Sequence, residues 1–126
     1  MPQQPTVLVV EDQLGPRESL RAILQPAYRV LVAMEGAQAI HFVEHEPVDV
    51  VLLDLRLPGL SGLQVLEKIK ALRPAIAVIV VTGYASSETE REVVRLRAFA
   101  YIPKPFNISH VRETVKRAVA QRAHYK

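Results

Sequence analysis

Five short apolar runs, each followed by a stretch whose apolar residues recur at helical spacing, constrain this chain more than any other feature. The runs are Thr6–Val10, Tyr28–Ala33, Val48–Leu53, Ile76–Val81 and Ala100–Ile102. Between them, Gly15–Gln25 carries Leu20, Ile23 and Leu24, with Pro16 suited to a first helical turn and Pro26 as a stop. Gly36–Glu44 repeats Ala37, Ile40 and Val43 until Pro47 breaks it. Ser61–Arg73 sets Leu63, Leu66 and Ile69 on one side, and Ser61-x-x-Gln64 fits a capping box. Ser87-x-x-Glu90 fits the start of a helix bearing Val93, Val94 and Leu96. Asn107 fits the cap of a last helix with Val111, Val115 and Ala118 facing inward.

Strands that are apolar on both faces belong to a parallel sheet covered by helices on both sides. Right-handed crossovers then favour a doubly wound, five-stranded α/β sheet. The 126 residues suit one domain at roughly 100–200 residues per domain, with no linker-like stretch or repeat, so residues 1–126 are expected to fold as one unit. The apolar share of 49% against 23% charged excludes a disordered chain. With no cysteine, disulfides, thiolate metal sites and cysteine nucleophiles are excluded. The longest apolar run, Ala75 to Val81, is too short to span a bilayer, and Met1-Pro2-Gln3-Gln4-Pro5 does not read as a signal peptide. A cytoplasmic protein without membrane contact is the expectation.

The net charge of +3 hides an asymmetry. Residues 1–63 carry four Lys/Arg and eight Asp/Glu, and residues 64–126 carry twelve and five, so the halves sum to −4 and +7. The basic residues are interleaved with acids, which favours a solvated surface over a nucleic-acid face. The chain has no recognition-helix module, so direct DNA binding is not expected.

In doubly wound sheets, sites form beyond the C-terminal ends of the strands. Glu11 and Asp12 follow the first run, Asp54 ends the third, Thr82 with Gly83 follows the fourth, and Lys104 with Pro105 follows the fifth. Any one of these residues is ordinary at a strand end; their joint placement on four ends is the signal. Three carboxylates close together repel, and a divalent cation resolves that repulsion. An all-oxygen donor set suits Mg²⁺ rather than Zn²⁺. A carboxylate can attack phosphorus to give an aspartyl phosphate, with a metal and a lysine neutralising the equatorial oxygens. A threonine hydroxyl can hydrogen-bond the phosphoryl group.

The segments Val7-Leu8-Val9-Val10-Glu11-Asp12, Leu52 to Gly62, Val81-Thr82-Gly83-Tyr84 and Tyr101-Ile102-Pro103-Lys104-Pro105-Phe106 together resemble the receiver domain of bacterial two-component response regulators, over about residues 5–122. The resemblance implies the flavodoxin-like (βα)5 fold and a part in phosphorelay signal transduction. Asp54 would accept a phosphoryl group from a sensor histidine kinase or phosphotransfer protein. Glu11, Asp12, Asp54 and the Arg56 backbone carbonyl would hold Mg²⁺. Lys104 would pair with the phosphoryl group, Thr82 would swing toward it, and Tyr101 would follow as the switch aromatic. The Lys104–Pro105 bond would be cis. The surface formed by the fourth helix, fifth strand and fifth helix would then control an output domain or downstream partner, with a homodimer through the fourth and fifth helices as one form of contact. Such a protein is a switch rather than an enzyme. Moving a two-state equilibrium from mostly off to mostly on needs about 5.5 kcal/mol of differential binding, within reach of a few charge-assisted hydrogen bonds at roughly 1.5–3 kcal/mol each.

Three departures stand out. Glu11 replaces the family's frequent Asp, one methylene longer with the same charge. Arg97 stands where the family usually has Gly, so the fourth helix is expected to end differently or to strain its last turn. Tyr84, two residues past Thr82, is either a shield against hydrolytic water or a solvated aromatic. His41 and His45 have metal-binding spacing but no third ligand, and are expected to be a solvated pair. Arg91, Arg95, Arg97, Arg112, Lys116, Arg117 and Arg122 make the last two helices basic, which suits an acidic partner or a charge-matched self-contact. Among rival readings, a phosphorylation-independent receiver would be marked by loss of Asp54, its acidic partners or Lys104, and none is lost. A haloacid-dehalogenase-type phosphatase would want a second Asp two residues after the nucleophile, where Arg56 stands. The chain stops just after its last helix, as a stand-alone regulator or a cut piece of a larger one would.

Overall fold

The computed structural model describes residues 4–83 and 86–124; Tyr84 lies outside them. Five strands, β1 (Thr6–Val10), β2 (Arg29–Ala33), β3 (Val50–Leu53), β4 (Ala77–Thr82) and β5 (Ala100–Pro103), alternate with five helices, α1 (Leu14–Leu24), α2 (Gly36–His45), α3 (Gly62–Leu72), α4 (Ser87–Arg95) and α5 (Ile108–His124). The strands form one sheet in the order β2-β1-β3-β4-β5, and every neighbouring pair is parallel. The doubly wound expectation holds.

Alternation along the strands explains the two layers. Leu8, Val10, Val51, Leu53, Val78 and Val80 point to one face, where α2, α3 and α4 contribute Ala39, Val43, Val65, Leu66, Ile69 and Val93. Val7, Val9, Val50, Leu52, Ile79 and Val81 point to the other, against Leu20 and Leu24 of α1 and Val111, Val115 and Ala118 of α5. Strands β1, β3 and β4 are buried throughout, so both faces are apolar apart from the terminal threonines Thr6 and Thr82. Each fully buried Val or Leu contributes roughly 1.5–3 kcal/mol from burial, which places these three in the centre. β2 lies at an edge and is only partly covered.

Helix starts follow local chemistry. Ser61 and Gln64 form the reciprocal capping box at α3. Asn107 Oδ1 accepts from the His110 amide at 3.1 Å. At α4 the cap is Ser86, not Ser87: its hydroxyl accepts from the Thr89 amide at 3.1 Å. Two overlapping serine patterns compete there, and the one that also lets Ser86 donate to the Thr89 hydroxyl is used. On α2 the buried stripe is Gly36, Ala39 and Val43, with Ala37 exposed.

Arg97 corrects one expectation. Helix α4 ends in the ordinary double-bonded fashion: the Ala98 amide donates to Val93 O at 3.0 Å and the Arg97 amide to Val94 O at 2.9 Å. The residue in the left-handed position is Arg97 itself, at φ 68. The helix therefore does not end differently. An arginine occupies the glycine position, at a backbone cost of about 1–2 kcal/mol.

Candidate functional site

The strand order reverses between β1 and β3, and the crevice beyond their C-terminal ends is where α/β sheets hold ligands. Glu11 follows β1, and its amide donates to Ala33 O at 3.0 Å, continuing the β1–β2 ladder by one residue. Asp54 follows β3, and its amide donates to Val10 O at 3.0 Å. The sheet's own hydrogen bonds thus set the two carboxylates on adjacent strand ends. Glu11 is 1% exposed and Asp54 6%, whereas Asp12 is exposed. One carboxylate oxygen from each of Glu11, Asp12 and Asp54 lies within 4.8 Å of the others.

Each buried carboxylate is anchored. The Gln13 amide donates to Glu11 Oε2 at 3.1 Å, and the Arg56 amide donates to Asp54 Oδ1 at 3.1 Å. The Lys104 ammonium donates to Glu11 Oε1 at 2.5 Å and to Asp54 Oδ2 at 3.0 Å. Lys104 is brought here by β5, where its amide donates to Thr82 O at 2.9 Å. Thr82 closes β4 and is fully buried. The Lys104–Pro105 peptide is cis, as is Gln25–Pro26.

Burial pushes the Glu11 carboxyl up, and the nearby Asp54 charge adds to this; the bonds from Lys104 and Gln13 offset only part of it. Burial also acts against the charged form of Lys104, but its two carboxylate partners outweigh burial and hold the ammonium above the usual lysine range. Three carboxylates and one ammonium leave a formal charge of −2. A like-charge pair at this spacing costs roughly 3–4 kcal/mol at an effective dielectric near 20. A hard divalent cation with oxygen ligands is therefore the group this donor set fits, since no imidazole or thiolate is among the clustered ligands.

Tyr101, on β5, is half-buried and rests against the α2–α3–α4 layer. Burial raises its phenol, a shift the Ser86 backbone hydrogen bond opposes. His41 and His45 are exposed, with ring centroids 4.3 Å apart, and belong to no three-residue ligand cluster among the described residues.

Sequence reasoning missed two contributors. Gln13 orients Glu11 through its backbone, which no side-chain pattern reveals. Gly62 sits against the Asp54 loop: its amide donates to Leu55 O at 3.0 Å, and a Cβ there would lie 2.3 Å from Leu55 Cα and 2.7 Å from Asp54 O. The glycine after a capping serine was the available signal, but the close approach is a tertiary fact.

Comparison with known proteins gives a consistent answer. The family model for the response regulator receiver domain matches residues 7–116. Sporulation initiation phosphotransferase F of Bacillus subtilis is 35% identical over 112 residues, 88% of this chain and 90% of that protein. Transcriptional regulatory protein ZraR of Escherichia coli is 36% identical over 115 residues, which is 90% of this chain but 26% of ZraR, so the chain spans about a quarter of that relative's length. The crystal structure of a CheY-like receiver domain protein from Methanospirillum hungatei matches with a TM-score of 0.92 at 32% identity, covering 96% of this chain and 98% of that one. The BeF3-activated DrrB receiver domain matches with a TM-score of 0.88 at 29% identity, covering 94% and 99%.

Proposed function

The chain belongs to the response regulator receiver domain family of two-component systems, and from that premise we propose that Asp54 is its phosphoacceptor. The observation that carries this reading is the setting of Asp54: nearly buried, held by the Arg56 amide and the Lys104 ammonium, beside two further carboxylates. The donor is a phosphohistidine on a sensor histidine kinase or phosphotransfer protein. A bond forms between an Asp54 carboxylate oxygen and phosphorus while the phosphorus–nitrogen bond breaks and the imidazole leaves.

Glu11, Asp12, Asp54 and the Arg56 carbonyl would hold Mg²⁺. When bound, Mg²⁺ supplies positive charge against the phosphoryl oxygens and returns the pocket from −2 to neutrality. Lys104 neutralises phosphoryl charge from the β5 side. The Thr82 hydroxyl turns to a phosphoryl oxygen, and Tyr101 changes its packing in response. Phosphorylation adds roughly −1.5 to −2 charge at this edge, so the contacts that Lys104, Thr82 and Tyr101 exchange for new ones in that state bias the α4–β5–α5 surface toward its active form. The chain is thus a switch that promotes its own phosphorylation and dephosphorylation rather than an enzyme with a separate substrate.

Residues 1–126 act as one receiver unit on this reading; two packed layers on a single sheet support it. The exposed Arg91, Arg95, Arg112, Lys116 and Arg117 on α4 and α5 suit an acidic output domain, an acidic downstream protein or a homodimer contact. No helix among the described residues is long and apolar enough to cross a membrane, and we assign the chain to the cytoplasm, where kinase phosphohistidines are presented.

The test is incubation with a small phosphodonor and Mg²⁺, read by intact mass. One added phosphoryl group in the wild type and none in Asp54→Asn is expected. Full transfer to the variant would falsify the assignment.

A further inference from the structure

At the opposite edge of the sheet, the C-terminal ends of α3 and α5 and the turn between α4 and β5 enclose a cleft of about 380 Å³. Lys70, Arg97 and Arg122 line it together with Gln121 and Phe99, and no carboxylate does. Lys70 is fixed: its ammonium donates to Pro74 O and Ile76 O, each at 2.8 Å, which leaves one of its three donors uncommitted. The Arg97 guanidinium has no hydrogen-bond or ion-pair partner among the described residues. Arg122 approaches Asp49 only to 4.0 Å, and its Nε is buried without an acceptor. Asp49 lies outside this cleft, so Arg122 adds a cation to the wall whose nearest carboxylate is on another side.

Helix ends account for part of this charge. The C-terminal carbonyls of α3 and α5 attract cations, which explains Lys70 and Arg122. They do not explain why acids are absent from the cleft. Nor do they explain Arg97, which adds a third cation from a left-handed backbone position that favours glycine. Burial and the Arg97 charge together push the Lys70 ammonium down, the direction expected of cations with no anion between them.

We propose that this cleft is a second ligand site, which takes an oxyanion of the phosphate class between Lys70, Arg97 and Arg122. Free phosphate and the phosphate of a nucleotide share this chemistry. Phe99 at the wall offers an aromatic surface for a base in the second case.

The test uses the full chain, free of metal and at constant ionic strength, followed by amide NMR. Separate titrations use inorganic phosphate, pyrophosphate and adenosine triphosphate. Saturable shifts at Lys70, Phe99 and Gln121 are expected, with affinity reduced about tenfold in Arg97→Gly and unchanged in Asp54→Asn. Saturation by triphosphate alone, with movement of the Phe99 ring signals, assigns the nucleotide source; saturation by inorganic phosphate assigns the free anion. Arg97→Gly relieves rather than strains the backbone, so loss of binding there is not loss of fold. Shifts that never saturate for any of the three probes, or equal affinity in Arg97→Gly, overturn the proposal.

Discussion

Lys104 and Glu11, 93 residues apart in sequence, meet in a single short ion pair: the ammonium donates to Glu11 Oε1 at 2.5 Å while also reaching Asp54 Oδ2 at 3.0 Å. One lysine thus holds two of the three carboxylates that compose the proposed metal site. Breaking a partly buried pair from the lysine side leaves buried charge uncompensated. Lys104→Ala is expected to lower stability by about 1–3 kcal/mol without metal, measured by urea unfolding. The variant's pocket goes from −2 to −3, so Mg²⁺ should stabilise it more than it stabilises the wild type. Equal stabilisation of the two would contradict a shared site.

The titration of Glu11 has a definite sign. Burial raises its carboxyl, so the folded state holds that proton more tightly than the unfolded chain. Its contribution favours the fold at low pH and is lost as the pH rises from the ordinary glutamate value through the raised one. Lys104 is raised as well, and its contribution is present below the ordinary lysine value and lost as the pH climbs through the higher one. The difference between wild-type and Glu11→Gln stability, measured in urea without metal, should therefore decline across the acid-side window and stay level through neutrality. Mg²⁺ affinity should rise over that same acid window, because the ligand must be ionised. A difference curve that rises there would reverse the stated sign.

Gly62→Ala tests the loop that carries Asp54. The added methyl meets backbone, not a flexible side chain, at 2.3 and 2.7 Å, so the Asp54–Leu55 segment must move. A loss of about 1–3 kcal/mol is expected from overpacking, with slower phosphoryl acceptance even where the variant stays folded. Gly15→Ala is the control, because nothing lies within 4 Å of a Cβ there. Equal phosphorylation rates in the two variants would show that Gly62 does not position the acceptor.

Arg97→Gly should stabilise the protein. Relief of the left-handed backbone at φ 68 is worth about 1–2 kcal/mol, and the added freedom of glycine in the unfolded chain returns about 0.5–1 kcal/mol of that. A net gain of about 0.5–1 kcal/mol in urea unfolding is the expected outcome. A loss would mean that the arginine side chain makes a compensating contact.

Most of the fold was legible because burial repeats simply. The bounds of β1 are those its apolar run suggests, and Val111, Val115 and Ala118 of α5 are all buried. Legibility failed where residues of one type compete at neighbouring positions. Ala37 and Ala39 both fit an α2 stripe, and Ser86 and Ser87 both fit an α4 cap; only packing chooses between them. Val94 was read with Val93 and Leu96 but stands 67% exposed, since a nine-residue helix over an edge of the sheet can bury little more than one stripe. At the site, strand-end positions showed which residue types gather on one edge. They did not reveal that Lys104 bridges Glu11 to Asp54, or that the Gln13 and Arg56 amides orient the carboxylates. Those contacts depend on distances that exist only after β1, β3, β4 and β5 have assembled into one sheet.

The most direct measurement is a crystal structure of the chain grown with Mg²⁺ and beryllofluoride, a stable stand-in for a phosphoryl group. The expected density shows the fluoride adduct joined to an Asp54 carboxylate oxygen, a metal ion ligated by Asp12, Asp54 and Glu11, and Lys104 turned from Glu11 toward a fluorine. An unmodified Asp54 with Lys104 still bridging Glu11, in crystals holding both reagents in excess, would contradict the account.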